Sequence, residues 1–292
     1  MNVTHRATYL WILALAALAI GFAGMAAAEN HENGNGGNGF VLDHFKCYET
    51  KGQSVDDLVF LQDQFGAADN TFERDIVRDP KMFCNPTQKI RGEETVTVSA
   101  PQNHLTWYRI RSVFEEKFNP KEVIVTNQFA PNGQTLKVIE PRFLAVPTQK
   151  LSVNGVNTGL GTTTQLDHFK CYAVDAAPLA PQSVQLQDQF SPANTSSAFR
   201  VVQARFLCNP VTKVHVTGFD VEEGKAVPRT EVATIGHPED HLTCYGLTPS
   251  RNVVRNLLLN NQFGREQRLS TKEERLLCVP SQKEEQKAPP RE

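Results

Sequence analysis

The chain has no excess of either charge: 30 Lys and Arg stand against 32 Asp and Glu, a net charge of −2 over 292 residues. That balance excludes the basic field with which a nucleic-acid binder captures phosphates. It is not poor in apolar residues, which make up 40% of it, and this excludes a mainly disordered protein, since disordered chains lack the surface to bury. Signatures of hydrolases and nucleotide binders are missing, with no G-x-S-x-G, no H-E-x-x-H and no G-x-x-x-x-G-K. No C-x-x-C pair occurs, the usual cysteine spacing of a zinc site. Helical periodicity is weak throughout, apart from residues 251–258, where a short helix is expected. Only one apolar run, residues 10–25, approaches the ~20 residues that cross a bilayer.

That run follows His5 and Arg6 and leads to Ala26-Ala27-Ala28, the A-x-A pattern of a cleavage site. Residues 1–28 therefore read as a secretory signal peptide, with no membrane span expected in the mature chain. The expected localisation is secreted, extracellular or periplasmic, where cysteines oxidise to disulfides. No cysteine follows the run to carry a lipid anchor. Residues 29–40, rich in Asn and Gly, read as a flexible linker, and the charged residues 284–292 as a disordered tail. A mature start at Glu29-Asn30-His31 has the amine and imidazole spacing that wraps Cu(II) or Ni(II). His31 is read here as a polar spacer, and neither a metal nor a cofactor is expected.

The rest of the chain repeats itself. LDHFKCY occupies residues 42–48 and again 166–172; LQDQF follows at 61–65 and 186–190; FCNP at 83–86 is answered by LCNP at 207–210, with Lys89 and Lys213 beyond. Between these lie degenerate copies of the same plan. HLTWY (104–108), NQF (127–129) and LAVPTQK (144–150) make one; HLTCY (241–245), NQF (261–263) and LCVPSQK (277–283) make the other. The order is A-B-A-B, four units in all, and a fixed order of matched motifs is the mark of a repeat architecture.

Ahead of each DQF or NQF the apolar residues alternate: Val59, Leu61 and Phe65; Val123, Val125 and Phe129; Val184, Leu186 and Phe190; Leu257, Leu259 and Phe263. A period of two marks a half-buried strand. The same inward face carries one polar residue per unit, Asp63, Asn127, Asp188 and Asn261, and a buried polar group left unbonded costs about 1–3 kcal/mol. Further strands are expected around the cysteines and over residues 135–139 and 198–202, giving three to four per unit. The fold class expected is all-β: two tandem β-sandwich or β-barrel domains, residues 41–151 and 165–283, each with an internal pseudo-two-fold repeat, joined by a linker at 152–164.

Six cysteines allow fifteen pairings. Unit two, however, replaces the cysteine of HLTCY by Trp107 and the cysteine of LCVP by Ala145, so both vanish from one unit together. Partnership within a unit explains this, giving Cys47–Cys84, Cys171–Cys208 and Cys244–Cys278; in the second half a cross-pairing among its four cysteines stays open. Each loop is worth about 4 kcal/mol by chain entropy. The spacing His44-x-x-Cys47, with its counterparts at His168 and His241, also suits a metal site, but residues three apart on a strand diverge. The histidines His44, His104, His168 and His241 are expected to hold neighbouring loops. A His/Asp pairing for acid–base work, His44 with Asp63 or His168 with Asp188, is the rival reading, set against the improbability of a catalytic site in four copies. The segment 216–240 breaks the repeat, and its residues 219–223 and 237–240 form a candidate binding surface.

The combination HFKCY, LQDQF, LCNP-x-x-K, HLTCY, NQF and LCVPSQK resembles an uncharacterised repeat module of exported bacterial and archaeal proteins, over residues 41–150 and 165–283. The resemblance implies no established activity, and Trp107 and Ala145 depart from the pattern. The function expected is a non-catalytic structural or binding module of the cell surface or matrix, its partner an extracellular ligand or envelope component. The alternative is a secreted hydrolase or carbohydrate-active enzyme with an unrecognised site.

Overall fold

The computed structural model describes residues 40–66, 71–114, 117–222 and 225–285. The expected signal peptide, Glu29-Asn30-His31 and residues 286–292 lie outside these. Unit one holds β1 (Phe45–Gly52), β2 (Asp57–Gln62), β3 (Glu73–Arg91) and the short β4 (Glu94–Val96). Unit two holds β5 (His104–Ser112), β6 (Lys121–Asn127), β7 (Ala130–Val153) and β8 (Val156–Asn157). Unit three holds β9 (Phe169–Asp175), β10 (Gln182–Asp188), β11 (Ser197–Pro210) and β12 (Thr212–Glu222), with β13 (Lys225–Ala233) returning beside β12. Unit four holds β14 (His241–Thr248), β15 (Asn256–Asn261) and β16 (Gly264–Glu285). Each unit thus has a first strand bearing the Cys-Tyr or Trp-Tyr motif, a second running into DQF or NQF, and a long third carrying the proline motif.

First and third strands alternate around a closed ring. Antiparallel pairs run β1–β3, β3–β5, β5–β7, β7–β9, β9–β11, β11–β14, β14–β16 and back to β1. The all-β class is as expected, but the two tandem domains give way to one eight-stranded barrel shared by all four units. The pairs β7–β9 and β16–β1 cross the expected domain boundary, and without them each half would expose two unpaired barrel edges.

The second strands bind the ring across its diagonals. Each pairs with the third strand of its own unit and with that of the unit opposite, or in the case of β2 with β12, which follows that third strand: β2 with β3 and β12, β10 with β11 and β3, β6 with β7 and β16, β15 with β16 and β7. Segments expected to be loose are consumed by this exchange. Ser152 and Val153 extend β7 against Leu258 and Leu257, and Glu284 and Glu285 extend β16 against Ile124 and Val123. Residues 251–258 form no helix: they run from an irregular stretch into β15, because Leu257 and Leu259 enter a core on a strand period and β15 is paired on both sides.

The lumen is filled by inward residues of the ring, among them Phe45, Leu105, Phe169 and Leu242, and by three disulfides. Cys47–Cys84, Cys171–Cys208 and Cys244–Cys278 each join directly opposed residues of neighbouring strands. The fourth such position is Trp107 opposite Ala145. The indole occupies the room that the small alanine leaves, packing on Phe143 and Phe206 with ring centroids 5.7 and 5.8 Å away. Outside the ring, Tyr48, Tyr108, Tyr172 and Tyr245 are buried beneath the exchanged second strands.

Candidate functional site

The polar residues of DQF and NQF hold the exchanged strands in place. One atom of each closes its own turn: Asp63, Asn127, Asp188 and Asn261 accept through Oδ1 from the backbone amides of Phe65, Phe129, Phe190 and Phe263. The other atom reaches the unit across the ring. Asp188 Oδ2 accepts from Tyr48 Oη (2.7 Å) and Asn85 Nδ2 (3.1 Å); Asp63 Oδ2 accepts from Tyr172 Oη (2.9 Å) and Asn209 Nδ2 (3.0 Å). In the B units the polarity reverses. Asn127 Nδ2 donates to Tyr245 Oη (3.0 Å) and Ser281 Oγ (2.9 Å), and Asn261 Nδ2 donates to Tyr108 Oη (2.8 Å). Burial, then the nearby carboxylates, hold Tyr48 and Tyr172 well above the ordinary phenol value, whereas burial takes Tyr108 and Tyr245 to about 12.

The glutamine of the same motif reaches the adjacent unit. Gln189 and Gln64 accept through Oε1 from Nε2 of His104 (3.1 Å) and His241 (3.0 Å), and the Nδ1 atoms of these two histidines lie against the carbonyls of Gln102 and Glu239. Gln128 faces His44 with the other end of its amide, Nε2 donating to the imidazole Nε2. Burial lowers His44, His104 and His168 to about 3 and His241 to about 4. Above each motif phenylalanine lies a lysine: Lys89 over Phe129, Lys150 over Phe190, Lys213 over Phe263 and Lys283 over Phe65. Burial lowers Lys150 to about 7 and the other three to about 8. These histidines and lysines close one end of the barrel, away from the cavity of about 1550 Å³, whose described lining includes none of them.

The histidines and aspartates considered for acid–base work are not brought together: His44 meets Gln128, and Asp63 meets Tyr172 and Asn209. The cysteines of H-x-x-C point into the lumen as disulfides, and among the described residues no three metal-ligating side chains cluster. The segment that breaks the repeat divides in two. Phe219 and Val221 stand exposed near the tip of the β12–β13 hairpin, while the stretch at His237 is framework, its amide bonded to Asp167 Oδ2 (2.7 Å) and Pro238 O accepting from Gln64. Asp43 supports the matching stretch of unit two, accepting from the amides of Ser99 and Ala100.

Among the described residues the other end of the barrel is open. Beyond Leu105 and Trp107 the inward parity of β5 continues with Arg109 and Arg111, and a cavity of about 1550 Å³ begins there over a floor that includes Met82, Phe143 and Leu276. At this level the ring register slips in every unit, skipping one residue between Pro80 and Met82, Pro141 and Phe143, Ala204 and Phe206, and Glu274 and Leu276. A β-bulge of this kind takes its residue out of the strand's alternation and re-aims it. The four residues so placed are Lys81, Arg142, Arg205 and Arg275, and all of them line the cavity. Each stands three positions before the lumen cysteine or Ala145, a spacing present in the sequence but hidden from a period-two reading.

No curated protein and no solved structure matches the chain. The model of a family described as a repeat of unknown function (DUF7450) matches residues 31–113 and 104–280, more than half of the sequence, and in keeping with the fourfold motif plan the chain belongs to that family.

Proposed function

We propose that this protein is an exported, non-catalytic binding module whose ligand seats in the open end of the barrel. The observation that carries this is the inequality of the two ends. At the closed end the motif residues are occupied in joining units, whereas the open end offers a cavity lined by polar and charged side chains on a rigid ring. The non-catalytic reading is supported by the lining itself: among its described residues are no His, Cys or Asp, and Glu49 and Glu140 are each paired with an arginine. Three disulfides support an oxidising compartment.

Gly246, on the cavity wall, leaves space for a larger side chain, the nearest atom to an added Cβ being Arg205 Nε at 3.7 Å. Binding of the mature chain to glycan and envelope fractions is expected to disappear in Gly246→Trp while melting is unchanged. Turnover in a hydrolase panel that a single carboxylate substitution abolishes would overturn the non-catalytic reading.

A further inference from the structure

We propose that the ligand of the barrel mouth is an acidic oligosaccharide, a chain of sugar rings carrying carboxylate or sulfate groups; this rests on the reading that the mouth is the binding site. The first support is charge. Eight of the 28 residues lining the cavity are Arg or Lys and three are Glu, in a chain whose overall charge is −2. Low-dielectric walls focus such a local excess into a field that attracts anions.

The second support is how the charge is placed. A cation occurs at the same bulge of all four units, including unit two, which has lost its disulfide. Strand pairing does not need charge at a bulge, since the skipped residue is outside the ladder. Three of the four are arginine, and Arg109 and Arg111 stand beside them; the guanidinium fork binds carboxylate and sulfate through two parallel hydrogen bonds.

Their present partners leave them available. Lys81 and Arg109 meet Asp79, Arg142 meets Glu140 at 2.8 Å, and Arg275 meets Glu49 at 2.9 Å, all with much of the cationic side chain exposed. Exposed pairs of this kind contribute about 0–1 kcal/mol, so an incoming oxyanion displaces them at little cost. Arg205 has no acidic partner among the described residues. Gln203 stands two positions before it, where Asp79, Glu140 and Glu273 precede the other three.

The third support is the flank of the cavity. On the side of β3 and β5 it extends to Phe72 and Phe114, which are 42% and 53% exposed, with the Arg74 guanidinium 5.6 Å from the Phe114 centroid. The guanidinium covers one face of Phe114, and the exposed rings of Phe72 and Phe114 still suit a sugar ring, whose C–H face packs on an aromatic while its acid group meets the cation. A bare inorganic anion would use neither the aromatic faces nor a cavity of about 1550 Å³.

The test is binding of fluorescent oligogalacturonate and dextran sulfate to the full mature chain, with neutral dextran and polyphosphate as comparators. At least one acidic glycan is expected to bind, weakening about tenfold or more in R142E/R205E and again with salt raised from about 50 to about 300 mM. K225E, on β13 and outside the cavity lining, serves as control and is expected to leave binding unchanged. Equal binding of neutral dextran, or binding of polyphosphate with no glycan, overturns the acidic-sugar assignment. Loss of binding in Gly246→Trp but none in R142E/R205E overturns the assignment while the mouth reading stands. Acidic-glycan binding indifferent to both variants overturns the mouth reading itself.

Discussion

The two diagonals of the ring are built from different chemistry. Units one and three face each other through Asp188 and Asp63, each accepting hydrogen bonds from a tyrosine and an asparagine, and each of the two units buries a lysine paired with a glutamate. Lys46 lies 2.8 Å from Glu274 and 3.6 Å from Asp188, and Lys170 lies 2.6 Å from Glu73. Units two and four face each other through Asn127 and Asn261, which donate hydrogen bonds to hydroxyls, and threonines stand where the lysines would be: Thr106 and Thr243. A charged acceptor needs donors and a counter-ion; a neutral amide donor needs hydroxyl acceptors. The A-B-A-B alternation is therefore a record of facing, A with A and B with B, which keeps each motif from satisfying the wrong neighbour.

The difference is open to direct attack. Asp188→Ala strips acceptors from Tyr48 and Asn85 and leaves buried Lys46 with Glu274 alone, so chemical denaturation should show a loss of about 3–5 kcal/mol. Asn127→Ala should lose only about 1–3 kcal/mol. Equal losses would remove the distinction between the diagonals.

Acid should act on all four units alike. The four motif histidines have folded values near 3 to 4 against an ordinary 6.5, so the unfolded chain binds more protons and stability falls as pH drops from about 6.5 towards 4. Asp75 and Asp240, raised by burial to about 6, work in the opposite sense between 3.8 and 6 but are outnumbered. A melting-temperature series should show the fall, and His104→Gln should reduce its slope as much as His168→Gln does.

The polarity argument is tested by a cycle in which Asp188→Asn sets two amide donors against each other and Asn85→Asp restores an acceptor, one that Lys150 also reaches at 2.8 Å. A favourable coupling of at least about 1 kcal/mol is expected, and strictly additive losses would refute complementarity. The smallest effect belongs to the neutral diagonal. Thr148→Val removes a hydroxyl bonded to Thr106 and near Asn261, and should cost about 1 kcal/mol in the same titration.

Much of this was legible in the residues, and what was not has physical causes. Val59, Leu61, Asp63 and Phe65 declared a strand with one buried acid, and the structure buries all four. The partner of that acid was out of reach because Tyr172 lies 109 residues away, and no local periodicity states which repeat docks on which. The letter-for-letter identity of the two HFKCY motifs invited two domains, but identity reports equivalent environments, and equivalent units here sit across one ring. The joint loss at Trp107 and Ala145 carried real geometry, since the two residues are directly opposed in β5 and β7. The mouth cations escaped notice because a bulge breaks the alternation on which inward and outward faces are counted.

The diagonal exchange of second strands also bears on how many copies of the unit a chain requires. Each unit takes one strand partner from the unit two places along the ring and two barrel edges from its neighbours. A single unit has neither, so it is a repeat without being a domain. The geometry of the ring demands four units, two on each diagonal. In the chain described here the covalent connections bring all four units to one ring.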